Sequence, residues 1–450
     1  MKQAPPLSRA PAPLLRRDFL KGCAGGLGAL LLPPALAADT AAAGARERTP
    51  ARIVIVGAGA AGLTCASLLA RRLEGARITL VDARQAHYYQ PGYTLVAGGI
   101  KPAGYPVSTT REHVPAGVEW VAEAAAEIDP EARHVATRAG RILPYDFLIV
   151  ACGLELDYAA IDGMDEARIG QDGLGSIYHS PEKASATWAL LSRFADTGGV
   201  GVFLRPGTEM KCAGAPLKYA FITDDHLRRR GLRGKAELIY NANNKVLFSV
   251  PIVSEKVRML FEDRGIEVHY DRILTAIDPG RRIATFSTPD GPAQLGYDFI
   301  NVIPPMRAPD LVRQSPLPWR EGPYAADGWI QVDPHSLRHV RYPEIFAVGD
   351  VAGVPKGKTA ASVKWQAPVA VDHLVAALRG TESPLSYDGY TSCPLITRLG
   401  RAMLVEFDYR NNLVPSFPGV VAPLEELWVT WVMKTMALKP TYISMLHGHV

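Results

Sequence analysis

The order of strands, turns and helices along this chain predicts an α/β protein with two doubly wound parallel sheets, the first interrupted in sequence by the second. Three stretches carry that prediction. Arg52 to Asp82, RIVIVGAGAAGLTCASLLARRLEGARITLVD, reads as strand, glycine turn, helix and second strand. Val200 to Leu204 (VGVFL) opens another strand–turn–helix unit. Tyr342 to Asp350 (YPEIFAVGD) is an apolar strand ending in Gly-Asp before a helical segment, and it returns to the first unit. At 450 residues and 48% apolar, the chain is too long for one ordinary core and has enough apolar residues to fill two or three. The expected division is 1–49 leader and linker, 50–160 first part of the first domain, 161–325 second domain, 326–390 second part of the first domain, and 391–450 a C-terminal segment outside the α/β pattern.

A net charge of +4, with no basic block interleaved with aromatics, argues against a nucleic-acid partner. The five cysteines show neither C-x-x-C pairs nor metal-ligand spacing, so no metal site is expected. They are structural thiols or a redox pair distant in sequence.

The leader begins with Lys2, Arg9, Arg16 and Arg17, continues with a short apolar run from Gly22 to Ala37, and ends in the small-residue motif Ala35-Leu36-Ala37. Arg16-Arg17-Asp18-Phe19-Leu20-Lys21 resembles a twin-arginine export signal, with Leu15 where Ser or Thr is usual. That predicts export of a folded, cofactor-loaded protein to the periplasmic face of a bacterial cytoplasmic membrane. Asp39 to Thr49 is an Ala-rich linker.

The glycine turn is a nucleotide cradle. Ile53 to Val56 form a β-branched run suited to a sheet covered on both faces, and Gly57, Gly59 and Gly62 follow in the spacing G-x-G-x-x-G, with Ala60 and Ala61 between the last two. The first glycine makes the tight turn, the second admits a pyrophosphate, and the third lets the helix pack on the strand. Asp82, followed by Ala83, ends the second strand 20 residues after Gly62, the offset at which a carboxylate accepts from a ribose hydroxyl. His87 to Leu95 (HYYQPGYTL), with Gln90 at its centre, is an aromatic loop that either flanks the far end of the ligand or plugs the surface. Val118 to Ala122 and Arg133 to Thr137 suggest a small hairpin. Tyr145 to Gly153 (YDFLIVACG) is a buried strand ending in a small-residue turn, with Cys152 and Gly153 at the crossing to the second domain.

Gly349 and Asp350 supply a second contact far downstream of the first. A ligand spanning both is FAD rather than NAD, with Asp350 accepting from the ribityl chain and the following helix aimed at the flavin. Lys364, in the segment Lys358 to Ala370, is either a fixed cation for charge developing on reduced flavin or a solvated surface lysine.

The second unit lacks a glycine fingerprint. Its turn reads Arg205 to Pro216, RPGTEMKCAGAP, and its next strand, Ala236 to Asn243, ends in Asn instead of an acid. The topology is expected without the means to hold a nicotinamide dinucleotide, and a thiol, Cys212, stands where the pyrophosphate would lie. Glu267 to Tyr270, Ala284 to Ser287 and Tyr297 to Ile303 read as strands finishing this domain. The last stretch mixes Trp428, Trp431, Met433, Lys434, Met436 and Lys439 along short helices. It suits a helix lying in a membrane surface, a helix closing the core or a contact in a homo-oligomer, and Lys434 and Lys439 make it too interrupted to span.

VGAGAAGL, HYYQPGYTLV, KCAGAP, VGD, SVKWQAP and TSCPL together resemble the sulfide:quinone oxidoreductases, members of the two-dinucleotide-binding-domain flavoprotein superfamily, over roughly residues 50 to 450. The resemblance implies two Rossmann-like domains, FAD, and sulfide oxidation at a cysteine pair on one flavin face with quinone reduced at the other. It implies Cys212 and Cys393 as that pair, with Lys211 and Lys218 near enough to lower a thiol pKa. Several branches carry a third cysteine where this chain has Tyr178, so the similarity is to the two-cysteine branch, with non-covalent FAD. Three rivals share the fold: a flavocytochrome-type sulfide dehydrogenase subunit, a membrane NADH dehydrogenase and a flavin-bound thiol redox sensor.

Overall fold

The structure, a computed structural model, describes residues 46–419 and 421–449. The leader reading lies outside the described residues. Numbering the principal elements in chain order, the first domain contains β1 (Arg52–Val56), α1 (Ala60–Arg72), β2 (Arg77–Val81), β3 (Val118–Val121) and β4 (Phe147–Val150). Next come β5 (Leu174–Gly175), α2 (Pro181–Thr197), β6 (Gly199–Leu204), α3 (Ala215–Arg229), β7 (Ala236–Asn241), α4 (Pro251–Asp263), β8 (Ile266–His269) and β9 (Phe299–Asn301), which form the second domain. The chain then returns through β10 (Ile345–Ala347) and α5 (Ala360–Arg379) and ends in the hairpin β11 (Thr391–Arg398) and β12 (Arg401–Phe407) and the helices α6 (Trp428–Val432) and α7 (Leu438–Leu446).

Both sheets are five-stranded and wholly parallel, in the orders β10-β4-β1-β2-β3 and β5-β9-β6-β7-β8. Ile53 to Val56 are buried throughout, as a strand covered on both faces requires. The small residues at the start of α1 let that helix sit directly on β1, and Arg71 and Arg72 in its last turn suit the negative end of the helix dipole. Thr359 caps α5 by accepting from the Ser362 N–H at 3.0 Å, and Gly380 ends it in the left-handed conformation at φ +69°.

Two sequence expectations change. Val118–Val121 is the fifth parallel strand, paired with β2, and not one arm of a hairpin. His134–Thr137 pairs instead with Ala125–Asp129 and Ile142–Pro144 in a separate antiparallel ribbon. Alternation alone does not distinguish an edge strand of a parallel sheet from a hairpin arm. Ile283–Thr288 likewise belongs to a three-stranded antiparallel ribbon beside the second sheet. The crossings between domains run through the paired strands Glu155–Leu156 and Met306–Arg307, and Ala308, Val312 and Leu317 already pack in the first core.

The C-terminal segment packs inward. Tyr442, Met445 and Leu446 join the first core, and the Leu446 carbonyl accepts from the Ser67 hydroxyl of α1 at 2.6 Å. Lys434 and Lys439, expected as interfacial charges, turn inward to donate to the carbonyls of Pro91 and Tyr105, at 2.8 and 2.5 Å. Trp428 and Met436 stay outside, 48% and 67% exposed. No helix among the described residues is long and apolar enough to cross a membrane.

Candidate active site

At the first turn each glycine does a different job. A Cβ on Gly57, whose φ is +103°, would fall 2.5 Å from the Ala151 carbonyl oxygen, so this turn and the end of β4 touch through backbone. A Cβ on Gly62 would lie 1.7 Å from the Gly57 oxygen. One on Gly59 would meet nothing within 4 Å, because the turn faces an open cleft there. Ala60 and Ala61 begin α1, whose first N–H groups have no partner within the helix and no side-chain cap at Gly59. Gly349, at φ +86°, comes within 3.1 Å of the Ala61 Cβ by the same construction, so the downstream contact borders the upstream cradle. Its N–H donates to Gln366 Oε1 of α5 at 2.8 Å. Gly153, at φ +73°, has open space beside it at the end of β4. Open backbone at Gly59, α1 and Gly153, with carboxylates at either end, fits FAD.

Asp82 is more engaged than the sequence suggests. It accepts from the Ala58 N–H at 2.7 Å and from Arg84 at 2.6 Å. Burial is the strongest influence on this carboxyl and raises its pKa, but Arg84 and the Ala58 N–H outweigh it and keep the group ionised. A ribose hydroxyl would share Asp82 with Arg84, which the sequence reading did not foresee. Ala83, just beyond, is exposed. At the other end the Asp350 carboxyl is raised by burial, against the pull of Lys211 and Lys358. Lys364 starts the second turn of α5, partly buried, with its pKa lowered by desolvation. Pro368, one turn on, lacks the N–H that would bond the Lys364 carbonyl.

The sulfur pair lies on the second domain's side. Cys212 stands in the β6–α3 turn at φ +49°, a strained conformation for a residue with a side chain. Four hydrogen bonds hold it there. Its N–H donates to the Lys358 carbonyl at 3.0 Å, and its carbonyl accepts from Ala215 N at 2.8 Å. The Tyr178 hydroxyl bridges the Lys211 and Cys212 carbonyls at 2.9 and 3.1 Å. Cys393, 5% exposed on β11, lies so close to this turn that a Cβ on Gly214 would fall 2.4 Å from its sulfur. Both thiols are free in the structure.

Lys218, buried on α3, lies 3.6 Å from Cys212 Sγ. Burial pulls this ammonium's pKa down most strongly, and the two sulfurs more than offset it, so the charge is retained. Cys212 is held well below the usual thiol range, first by a hydrogen bond from Cys393, then, against burial, by Lys218 and Lys434. Cys393 moves the opposite way because it keeps the shared proton. Lys211 donates to Gln90 Oε1 at 2.6 Å, which joins the exposed aromatic-loop glutamine to the thiol turn. Burial pushes Cys65 and Cys152 up to about 12, the behaviour of inert packing thiols.

Three of these residues escaped the sequence reading. Lys358 donates to the Asp350 and Ala352 carbonyls at 2.6 and 3.2 Å, lies 3.5 Å over the Trp329 ring, and carries the carbonyl that holds Cys212. Tyr178 entered that reading only as an absent cysteine. Lys434 comes from a segment with no α/β signal, so no local pattern tied it to the sulfurs.

Residues 51–199 match the family model described as pyridine nucleotide-disulphide oxidoreductase. The Aquifex aeolicus sulfide:quinone oxidoreductase structure superposes at a TM-score of 0.73 with 21% identity, covering 88% of this chain and 92% of that one, which shows the shared fold. The mitochondrial sulfide:quinone oxidoreductase of Dictyostelium discoideum is 35% identical over 82% of this chain and 80% of its own length. That of Mus musculus is 34% identical over 81% of this chain and 80% of its own length. With identity at that level across four-fifths of both chains, the protein belongs to the sulfide:quinone oxidoreductase family.

Proposed function

We propose that this protein oxidises sulfide at a Cys212–Cys393 disulfide and delivers the electrons through FAD to quinone. The observation that carries the reading is the meeting of two thiols, distant in sequence, around one buried ammonium. HS⁻ adds to the Cys393 sulfur, the S–S bond breaks, and Cys212 leaves with the bonding electron pair as a thiolate. The direction follows from Lys218, which lies against Cys212 and stabilises it as the leaving group. The Gly57–Gly62 turn and Asp350 would hold FAD, which would supply a two-electron acceptor when bound. Around it, Lys358 and Tyr178 fix the thiol turn, and Lys211 joins that turn to Gln90.

Tyr178, with its hydroxyl spent on two carbonyls, supports assignment to a two-cysteine branch with non-covalent FAD. Attachment is monotopic, supported by exposed Trp428 and Met436 on the C-terminal segment. The leader motif supports export by the twin-arginine route to the periplasmic face of a bacterial membrane. Anaerobic titration tests the core of the reading: sulfide should bleach the flavin absorbance and a quinone analogue should restore it. Failure of sulfide to bleach the flavin, with rapid bleaching by micromolar NADH, would overturn it.

A further inference from the structure

Two buried lysines bear on the sulfur pair, and the chemistry above uses one. Lys218, on α3, lies 3.6 Å from Cys212 Sγ, whereas Lys434 acts on both sulfurs through its charge from the C-terminal segment, within Met433–Ala437. That stretch is a π-helical turn, a rare conformation that recurs at functional sites. The Lys434 side chain is 2% exposed, its ammonium donates to the Pro91 carbonyl at 2.8 Å, and it makes no salt bridge among the described residues. A buried ammonium with one neutral partner is costly unless an anion faces it. The charged and titratable groups facing Lys434 are Lys218 on α3, Cys212 on the thiol turn and Cys393 on β11.

The charge on those sulfurs changes during the reaction. As a disulfide the pair is neutral, and two ammonium groups would share a buried site with no anion. Once the pair opens, one or both sulfurs are anionic, and two ammonium groups are balanced. Beside the open pair the Lys218 pKa is raised and that of Lys434 is lowered, so Lys434 is the first of the two to give up its proton when the anion disappears.

We propose that Lys434 exchanges one proton with the sulfur pair in each cycle, taking it up when the pair opens and releasing it when the pair closes. When HS⁻ adds to Cys393 and Cys212 leaves as thiolate, the new Cys393–S–SH group still holds the sulfide's proton. Neutral Lys434 accepts that proton, giving Cys393–S–S⁻ beside an ammonium. The amine is suited to this, because burial first and the Lys218 charge second bring its pKa to about 7, against the pull of the sulfurs. The C-terminal segment thereby completes the reaction centre.

The proposal rests on the sulfide-oxidising reading, but its test uses no sulfide. The oxidised holoenzyme is opened with dithiothreitol in weakly buffered solution slightly below neutral pH. A pH dye counts the protons bound, and ultraviolet thiolate absorbance counts the ionised sulfurs; any flavin contribution is common to wild type and variants. In the wild type, the protons bound should exceed the un-ionised thiols formed by about one. Lys434→Met and Lys434→Arg should both abolish that excess and slow sulfide-driven flavin reduction about 10²-fold. The arginine variant, always charged, carries the test if the methionine variant does not fold. No excess in the wild type, or an excess surviving in Lys434→Arg, overturns the proposal. An excess that persists while sulfide fails to bleach the flavin would instead fault the substrate reading.

Discussion

The chain leaves β1 for α1 through Gly57, Ala58 and Gly59, but it leaves β6 for α3 through ten residues, Arg205 to Gly214. Both turns join a buried parallel strand to the N-terminus of a helix, and both contain a residue in the left-handed region, Gly57 at φ +103° and Cys212 at φ +49°. At the first turn the positive φ costs nothing, because glycine lacks a side chain, and the backbone beyond it is open. At the second the strain is carried by a cysteine and offset by hydrogen bonds donated by Tyr178 and Ala215 and one accepted by the Lys358 carbonyl. One topology thus serves two purposes: a short bare turn exposes N–H groups to phosphate, and a long restrained one aims a sulfur.

The comparison fails outright if the second turn is not the reacting one. Cys212→Ser or Cys393→Ser should leave the FAD spectrum intact and lower sulfide-driven flavin reduction by at least about 10³-fold, since a hydroxyl neither holds a persulfide nor leaves as readily as a thiolate. Cys152→Ala, at a half-buried packing thiol, should retain turnover. The reverse pattern in stopped-flow traces would move the chemistry to the end of β4.

At the first turn, Gly59 and Gly62 should separate ligand binding from folding. Gly59→Leu points its side chain into the cleft from a position where an added Cβ meets nothing within 4 Å, so the chain should fold and emerge colourless. Gly62→Ala puts a methyl 1.7 Å from the Gly57 carbonyl oxygen and should cost stability outright. Far-ultraviolet circular dichroism beside flavin absorbance distinguishes them, and a yellow Gly59→Leu protein would mean that the pyrophosphate lies elsewhere.

Gly214 sharpens the second half of the comparison. An alanine there would bring its Cβ to 2.4 Å from Cys393 Sγ, so one sulfur must retreat. Sulfide-driven reduction should fall about 10²-fold while FAD content holds, the scale on which small misplacements act. Full activity would show that the hairpin gives way freely.

The glycine turn, Gly349-Asp350 and both parallel sheets were legible in the sequence because each is a local pattern with a fixed spacing. Cys212 stood out because it breaks such a pattern. What was not legible depends on tertiary packing. Val118–Val121 alternates whether it ends a parallel sheet or begins a hairpin. Arg84 became the partner of Asp82 only once β2 and its following loop were in place. Lys434 and Lys439 sit among tryptophans and methionines in a string that matches an interfacial helix, and only the folded chain shows both ammonium groups turned inward. Lys358 acts mainly through a carbonyl and a ring face, neither of which leaves a motif.

Acid should also distinguish the two turns. His87 lies beside Ala58 of the first turn, buried, with Nε2 2.8 Å from the Tyr442 hydroxyl of α7. Desolvation, the His113 charge and Arg84 lower its pKa from 6.5 to about 4. Because the folded value lies below the unfolded one, the neutral ring's stabilisation is fully present above about pH 6.5 and is lost as pH falls towards 4. The shift corresponds to about 3 kcal/mol at most. His339 is likewise lowered to about 4 and titrates in the same window, so the wild-type curve sums both. Comparing urea midpoints of wild type and His87→Gln at neutral and mildly acidic pH isolates the His87 share: the variant should start less stable and lose less on acidification. FAD retention should follow the same difference, because the ring is tied to the cradle. Cys212, held below the usual thiol range by Cys393 and Lys218, should show the same alkylation rate in wild type and His87→Gln at either pH. Parallel losses at both turns in His87→Gln would show that His87 stabilises the molecule as a whole rather than the first turn.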